Sequence, residues 1–136
     1  MDEVYRGLFI SGSIIDYSDL NSYNIKSVIN VKSEEHDTIS ILTEMAISYY
    51  YIPIVDWGQP RKGQIETLLK VWKKEKKNGN VLIHCAVGRG RSACMALAIM
   101  VHEGMSFGDA IKQILERRPC VTMLSNQIDK IRRELD

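Results

Sequence analysis

The sequence predicts a single α/β domain in which a central, mostly parallel sheet is flanked by helices. Short apolar runs rich in β-branched residues alternate along the chain with longer stretches whose apolar residues recur at helical spacing. No stretch has the composition of a linker, a repeat or a low-complexity segment. We therefore expect one domain over residues 1–136, which is long enough to bury a core of its own.

The first half of the chain predicts three strands and two short helices. The predicted strands, all apolar with β-branched or aromatic side chains, are residues 8–10, 25–31 and 47–55. Pro53 indicates that the last residues of the third run leave the sheet. Residues 16–24 and 39–46 predict the two helices from the spacing of their apolar side chains.

The second half predicts one strand and four helices. The elements are a helix at 61–77, a strand at 81–83, and helices at 91–102, from about Ser106 to Arg117 and from about Ser125. The helix at 91–102 is apolar nearly all round, which indicates that it is buried. Ser106 and Asp109 have the spacing of a capping box at the start of the next helix.

The loop between the strand at 81–83 and the helix at 91–102 predicts an anion site. Backbone N–H groups at a helix N-terminus have no partner within the helix and lie at the positive end of its dipole, so they bind a phosphate-sized dianion. Gly88 and Gly90 allow the backbone to turn until several of these groups converge. The residues expected to bind phosphate are Ala86, Val87, Gly88, Arg89, Gly90 and Arg91.

Three side chains in this segment suit phosphate transfer. The positive field of the loop favours ionisation of the Cys85 thiol, which makes it a nucleophile. The planar guanidinium of Arg91 can donate two parallel charge-assisted hydrogen bonds to a phosphate. Ser92 can hydrogen-bond the sulfur when it leaves. This scheme requires neither a metal ion nor a cofactor.

Asp56 is the predicted general acid. It directly follows the strand at 47–55, and the carboxyl ends of parallel strands meet at one edge of a sheet, so Asp56 and Cys85 can face each other. The carboxylic acid would protonate the leaving oxygen, and the carboxylate would then accept a proton from the hydrolytic water. The rival carboxylates are Asp16, Glu34, Glu35 and Asp37.

The loop also carries a resemblance to a known family. The pattern His-Cys-x-x-Gly-x-x-Arg-Ser, formed by His84, Cys85, Gly88, Arg91 and Ser92, resembles the signature of the cysteine-based protein tyrosine phosphatase superfamily. Residues 6–13 and 25–31 resemble the start of its small dual-specificity branch, and Asp56 falls where the family keeps its general acid. The resemblance implies a protein-tyrosine-phosphatase-like fold, a phosphorylated protein substrate, a phosphocysteine intermediate and a shallow cleft that accepts phosphotyrosine as well as phosphoserine and phosphothreonine.

Other functions remain open at this point. The same site is compatible with RNA 5′-phosphates or phosphoinositides, which relatives in the superfamily also attack, and Arg89 could contact such a doubly charged or bulky substrate. A phosphate-binding module without turnover would not need Cys85 or Asp56. A sulfurtransferase also uses a loop cysteine but does not need Gly88 and Arg91 at these offsets.

Several residues have a structural alternative to a functional role. His84 is expected to support the loop by hydrogen bonding rather than to transfer protons, and Cys94 and Cys120 are expected to pack in the core. Trp57 fits either the cleft or the core, and its segment Trp57-Gly58-Gln59-Pro60 resembles compact atypical and archaeal-type members of the superfamily. Gln127 matches loosely a glutamine that places the hydrolytic water in some members.

The composition is that of an ordinary globular protein. With 45% hydrophobic residues, 26% charged residues and a formal charge of +1, the chain is neither disordered nor basic overall. The helix at 61–77 carries seven basic residues against two acidic ones; this is a solvated face or, alternatively, a docking surface for an anionic partner. We expect a cytoplasmic protein without membrane insertion, because the N-terminus is acidic and no apolar run approaches eighteen residues.

Overall fold

The computed structural model describes residues 1–135 and has an α/β fold built on a five-stranded sheet. The strands are β1 (Asp2–Tyr5), β2 (Leu8–Ser11), β3 (Ile25–Lys32), β4 (Ser48–Ile54) and β5 (Asn80–His84). They are arranged in the order β1-β2-β5-β3-β4, in which β1 runs antiparallel to β2 and all other neighbours are parallel. The predicted mostly parallel central sheet is confirmed.

Six helices flank the sheet. They are α1 (Ser18–Ser22), α2 (Ile39–Glu44), α3 (Lys62–Glu75), α4 (Arg91–His102), α5 (Phe107–Arg117) and α6 (Ser125–Leu135). The first three are shorter than predicted, whereas α4 has the predicted bounds and is buried along most of its length. As the capping pattern indicates, the Oγ of Ser106 accepts a hydrogen bond from the N–H of Asp109.

The two faces of the sheet bury separate apolar clusters because successive side chains of a strand point in opposite directions. In β5, Val81 and Ile83 belong to the larger cluster, which includes α4 and the apolar sides of α3, α5 and α6. Leu82, between them, belongs to the smaller cluster with Leu20 of α1 and Leu42 of α2. The central strand is therefore covered on both faces, and its carboxyl end is fixed in position.

Three details differ from the sequence prediction. Strand β1 is not predicted, because its sequence has no apolar pattern: Val4 is its one fully buried side chain. Pro53 does not end the third predicted strand: the ladder shifts register after Asn30, and Ile54 still pairs with Lys32. Cys120 is exposed, so the expectation that it packs in the core is wrong, while Cys94 is buried as expected.

The carboxyl ends of the four parallel strands meet at one edge of the sheet. The loops that leave β2, β3, β4 and β5 there contain Ser13, the segment 33–38, Asp56 and the segment 85–90. This is the edge at which parallel sheets bind ligands.

None of the helices described in residues 1–135 is long and apolar enough to cross a membrane.

Candidate active site

The segment 85–90 joins β5 to α4 and forms a tight loop whose carbonyl groups are held from outside. The oxygens of Ala86 and Arg89 accept hydrogen bonds from the N–H groups of Ser13, at 3.1 Å, and Thr122, at 2.7 Å. The oxygens of Val87 and Gly88 accept from the guanidinium of Arg118, at 3.1 and 2.8 Å. Because the C=O and the N–H of a peptide unit point in opposite directions, the N–H groups of the loop are left to face an anion.

Arg118 is a site residue that the sequence analysis missed. It lies directly after α5, where Arg117-Arg118-Pro119 indicates only the end of a helix. Its third nitrogen pairs with the carboxylate of Asp2 at 2.8 Å, so the guanidinium is fixed between β1 and the loop. Arg118 thus shapes the anion site without facing the anion.

The two loop glycines serve different purposes. Gly88 has φ of +74°, and a Cβ there would lie 2.5 Å from the carbonyl carbon of Ser11. Gly90 has φ of −127°, so it is not in the left-handed region; a Cβ there would approach the oxygen of Thr122 to 3.3 Å. Gly88 is therefore required by conformation and space, and Gly90 by close packing alone.

Cys85 lies at the base of the loop, where its sulfur is close to a backbone N–H and a side-chain hydroxyl. The residue is 2% exposed, and its Sγ accepts the N–H of Gly88 at 3.1 Å. The Oγ of Ser92 lies 3.4 Å from the same sulfur. The sulfur therefore lies next to a backbone N–H donor and to the first turn of α4.

Arg91 is oriented by Glu34, with which it forms a bidentate pair. Nη1 donates to Glu34 Oε1 and, at 3.1 Å, to the carbonyl oxygen of Ile54, while Nη2 donates to Glu34 Oε2 at 3.0 Å. The hydrogen bonds that Arg91 donates to Glu34 raise the pKa of Arg91, and this effect outweighs the lowering of that pKa by burial. The same pairing lowers the pKa of Glu34 to about 2, so both groups are charged at neutral pH.

The hydrogens of Arg91 that are not used by Glu34 and Ile54 lie along one edge of its guanidinium. Both hydrogens of Nη1 and one of Nη2 are used by Glu34 and Ile54. The Nε–H makes no hydrogen bond within the described residues, and the second hydrogen of Nη2 has only Asp56 Oδ1 nearby, at 3.5 Å. Nε and Nη2 together form a planar fork of the kind that can bind two oxygens of a phosphate.

Asp56 and Cys85 line the same cavity, as the sheet-edge argument predicts. The cavity has a volume of about 210 Å³, and its other lining residues include Trp57, Arg89, Arg91 and Gln127. The carboxylate of Asp56 is 64% exposed, so it meets solvent as well as the cavity. Trp57 lies on the cavity wall with half its surface exposed, which answers the choice between cleft and core in favour of the cleft.

The rival carboxylates each have a different partner. The pairs are Asp16 with Ser18, Glu34 with Arg91, Glu35 with Lys32, and Asp37 with His84. Among the five candidates, Asp56 is the one that lines the cavity. Three of the rivals lie in the segment 33–38, where Glu34 and Glu35 pair with cations and Asp37 is hydrogen-bonded to a histidine, which gives this acidic segment a structural role.

His84 is buried behind the loop rather than exposed in the cavity. Its Nε2 lies 2.6 Å from Asp37 Oδ2, and the two side chains are 0% and 3% exposed. His84 does not line the cavity. This position argues against proton transfer to a substrate. The hydrogen bond ties His84 to the segment 33–38 rather than to the phosphate loop, and its Nδ1 makes no hydrogen bond within the described residues.

Gln127, on α6, connects that helix to the segment that carries Asp56. Its Nε2 donates to the carbonyl oxygen of Gly58 at 3.0 Å, and its Oε1 accepts from the N–H of Leu124 at 2.8 Å. The residue is 1% exposed and lines the cavity.

Within residues 1–135, no group of three or more His, Cys, Asp or Glu side chains is placed to hold a metal ion.

Comparison with known proteins decides the family. The dual specificity phosphatase catalytic domain family matches residues 10–133. The chain belongs to this family. Since the family model covers almost the whole chain, the resemblance to the small dual-specificity branch of the cysteine-based protein tyrosine phosphatases is confirmed, and the chain is a catalytic domain of the cysteine-dependent phosphatase class.

Individual relatives agree with this assignment. The chain is 32% identical over 126 residues to dual specificity protein phosphatase 18 of Rattus norvegicus, covering 89% of this chain and 60% of the rat protein. It therefore spans less than two thirds of the length of this curated relative. The solved structure of human DUSP28 matches with a TM-score of 0.86 at 17% identity, over 98% of this chain and 94% of that one.

A further solved structure, PTPMT1 in complex with PI(5)P, matches with a TM-score of 0.81 at 19% identity. The match covers 93% of this chain and 89% of that one. At these identities the structures share the fold, and the fold alone does not identify a substrate.

Proposed function

We propose that this domain hydrolyses phosphorylated protein side chains, phosphotyrosine together with phosphoserine and phosphothreonine, through a phosphocysteine intermediate. One observation carries the proposal: the sulfur of Cys85, the open fork of Arg91 and the carboxylate of Asp56 belong to one cavity. Binding alone would need neither a nucleophile nor an acid. The residues are thus those required for phosphoryl transfer to a thiolate.

The first step forms the intermediate. The phosphate binds with its peripheral oxygens on the loop N–H groups and on Nε and Nη2 of Arg91. The Cys85 thiolate attacks phosphorus, so that an S–P bond forms while the P–O bond to the leaving group breaks. Asp56, as a carboxylic acid, donates its proton to the leaving oxygen, which departs as a neutral hydroxyl.

The second step regenerates the enzyme. A water molecule attacks phosphorus and transfers a proton to the Asp56 carboxylate, and the S–P bond breaks to release inorganic phosphate and the thiolate. The hydroxyl of Ser92, 3.4 Å from the sulfur, can donate to the departing thiolate and stabilise it. The N–H of Gly88 donates to the same sulfur in the free protein.

Replacing the proposed nucleophile and acid separately tests the mechanism. Cys85→Ser should abolish hydrolysis of phosphotyrosine and phosphothreonine peptides, whereas Cys120→Ser, which changes an exposed cysteine, should leave it unchanged. Asp56→Asn should slow poor leaving groups about a hundred- to ten-thousandfold and good leaving groups much less. Full activity in Cys85→Ser would refute the proposal. So would the absence of phosphocysteine in wild-type protein that is denatured rapidly during turnover.

A phosphoinositide or an RNA 5′-phosphate is a second candidate substrate. Arg89 supports it, because this exposed guanidinium lines the cavity beside the phosphate loop. A second phosphate on the substrate could pair with it. Initial rates on matched phosphopeptides, a phosphoinositide and a 5′-triphosphate RNA decide between the candidates, and Arg89→Gln should lower the rate selectively on the substrate that carries a second phosphate.

A further inference from the structure

Exposed apolar side chains are concentrated around the mouth of the cavity. Within the described residues, nine large apolar side chains are exposed, and five of them lie on loops at the carboxyl edge of the sheet. These five, which we call the apolar collar, are Ile15, Val55, Trp57, Val87 and Leu124. Their exposed fractions are 95%, 69%, 52%, 56% and 37%, respectively.

Each part of the collar lies on a loop that either lines the cavity or is hydrogen-bonded to the phosphate loop. Trp57 and Val87 line it directly. Ile15 follows Ser13, whose N–H binds the carbonyl oxygen of Ala86 in the phosphate loop. Leu124 donates its N–H to Gln127, which lines the cavity, and Val55 immediately precedes Asp56. The collar thus comes from four different loops: two line the cavity, and the loops of Ile15 and Leu124 contact the phosphate loop through Ser13 and Thr122.

Neither folding nor solubility accounts for such an arrangement. The collar residues belong to neither apolar cluster and keep between 37% and 95% of their surface exposed. Apolar side chains gathered on one exposed rim mark a surface that is covered by a binding partner. Since the collar adjoins the cavity that contains Cys85, the partner that fits it is the substrate of that cavity.

The distribution of charge favours an apolar peptide over a lipid headgroup or RNA. Of the residues that line the cavity, Arg89 is the one exposed cation, because Arg91 is buried on Glu34. Most of the basic surface lies elsewhere. Arg61 and Lys62 are at the start of α3, near the cavity edge, but the other five basic residues of the segment 61–77 follow from Lys70 onward. Lys76 and Lys77 lie at the opposite edge of the sheet, beside the start of β5. A polyanionic surface held by these lysines would not face the mouth of the cavity.

We propose that the apolar collar binds the side chains on either side of the phosphorylated residue, so that the domain selects phosphopeptides with apolar neighbours. The inference rests on the proposed function, since it concerns the substrate of the same site. Burial of two aliphatic side chains against the collar should strengthen the interaction about tenfold relative to small polar ones. Ile15, the most exposed member, and Leu124, on the other side of the phosphate loop, are the specificity-determining residues that test it.

The experiment compares two phosphotyrosine peptides that differ only in the residues directly before and after the phosphotyrosine, which are leucine in one and serine in the other. Wild-type protein should have about tenfold higher kcat/KM on the leucine peptide. The double variant Ile15→Ser/Leu124→Ser should lose this preference. Leu115→Ser, which changes an exposed apolar residue on α5, is the matched control and should keep it.

Binding and a small substrate separate this inference from the proposed function. Cys85→Ser should bind the leucine peptide about tenfold more tightly than the serine peptide even without turnover, while hydrolysis of phenyl phosphate by the wild type tests the catalytic site alone. Equal affinities for the two peptides would overturn the collar, whether or not phenyl phosphate is hydrolysed. The alternative result is that a phosphoinositide in vesicles is hydrolysed faster than either peptide, and more slowly by the double variant than by the wild type. That result would assign the collar to a lipid surface and would also overturn the proposal that it binds peptide side chains.

Discussion

The carboxylate of Glu34 holds the guanidinium of Arg91 through both of its oxygens, although the two residues are 57 positions apart in the chain. Glu34 comes from the segment after β3, and Arg91 is the first residue of α4. The pair therefore ties an acidic loop to the helix that carries the anion site. It leaves one edge of the guanidinium open and prevents the rest from rotating.

The Glu34 pair makes stability depend on pH in a defined direction. The pKa of Glu34 is lowered from 4.5 to about 2, so its contribution to stability is fully present above about pH 4.5 and is lost as the pH falls through about 2. Glu34→Gln should therefore unfold more easily than the wild type at pH 7, and the two should converge near pH 2. Urea unfolding at pH 7, 4 and 2.5 measures this, and a difference independent of pH would contradict it.

The parts of the molecule that follow from local sequence were predictable, and those that depend on long-range side-chain contacts were not. The bounds of α4 and the position of Asp56 follow from apolar runs that end at polar residues. Strand β1 has one buried apolar side chain and hence no periodic signal. The contacts of Glu34 with Arg91 and of Arg118 with Gly88 join residues 57 and 30 positions apart, and nothing local encodes them.

Replacing Arg118 should impair catalysis without changing any group that faces the substrate. Its guanidinium donates to the carbonyl oxygens of Val87 and Gly88, and lysine cannot reproduce this geometry. Arg118→Lys should lower kcat/KM for an aryl phosphate about ten- to a hundredfold and weaken inhibition by inorganic phosphate. Arg117→Lys, at the adjacent exposed position, is the control and should have little effect. Unchanged phosphate affinity in Arg118→Lys would show that the loop keeps its shape without this residue.

Gly88→Ala should destabilise the loop more than alanine at an open glycine position. The φ of +74° disfavours any side chain, and the new Cβ would overlap the backbone of Ser11 and Gly12. We expect a loss of about 1–3 kcal/mol in the free energy of unfolding, together with loss of phosphate binding. Gly108→Ala, on α5 with nothing within 4 Å of the added carbon, should not destabilise. Equal unfolding midpoints for the two variants would contradict the role of Gly88.

The three cysteines should differ in reactivity. Burial raises the pKa of Cys94 to about 12, so its thiol stays protonated and inaccessible, whereas Cys120 is exposed. Iodoacetamide at pH 8 should label Cys120 in the folded protein and Cys94 only after unfolding. Inorganic phosphate should slow labelling of Cys85 and leave that of Cys120 unchanged. Mass spectrometry of the labelled peptides checks both outcomes, and early labelling of Cys94 would mean that the core around α4 opens readily.

Gln127→Leu should affect the proton transfer assigned to Asp56 more than substrate binding. The amide of Gln127 donates to the carbonyl oxygen of Gly58, so its loss frees the segment that carries Asp56, while the phosphate loop keeps its contacts with Ser13, Thr122 and Arg118. We expect kcat to fall about tenfold for a poor leaving group and less for a good one, with little change in KM. Asn126→Ala, at the adjacent exposed position on α6, controls for effects on the helix. An equal decrease for both leaving groups would place Gln127 in the hydrolysis of the intermediate, because that step is the same for every substrate.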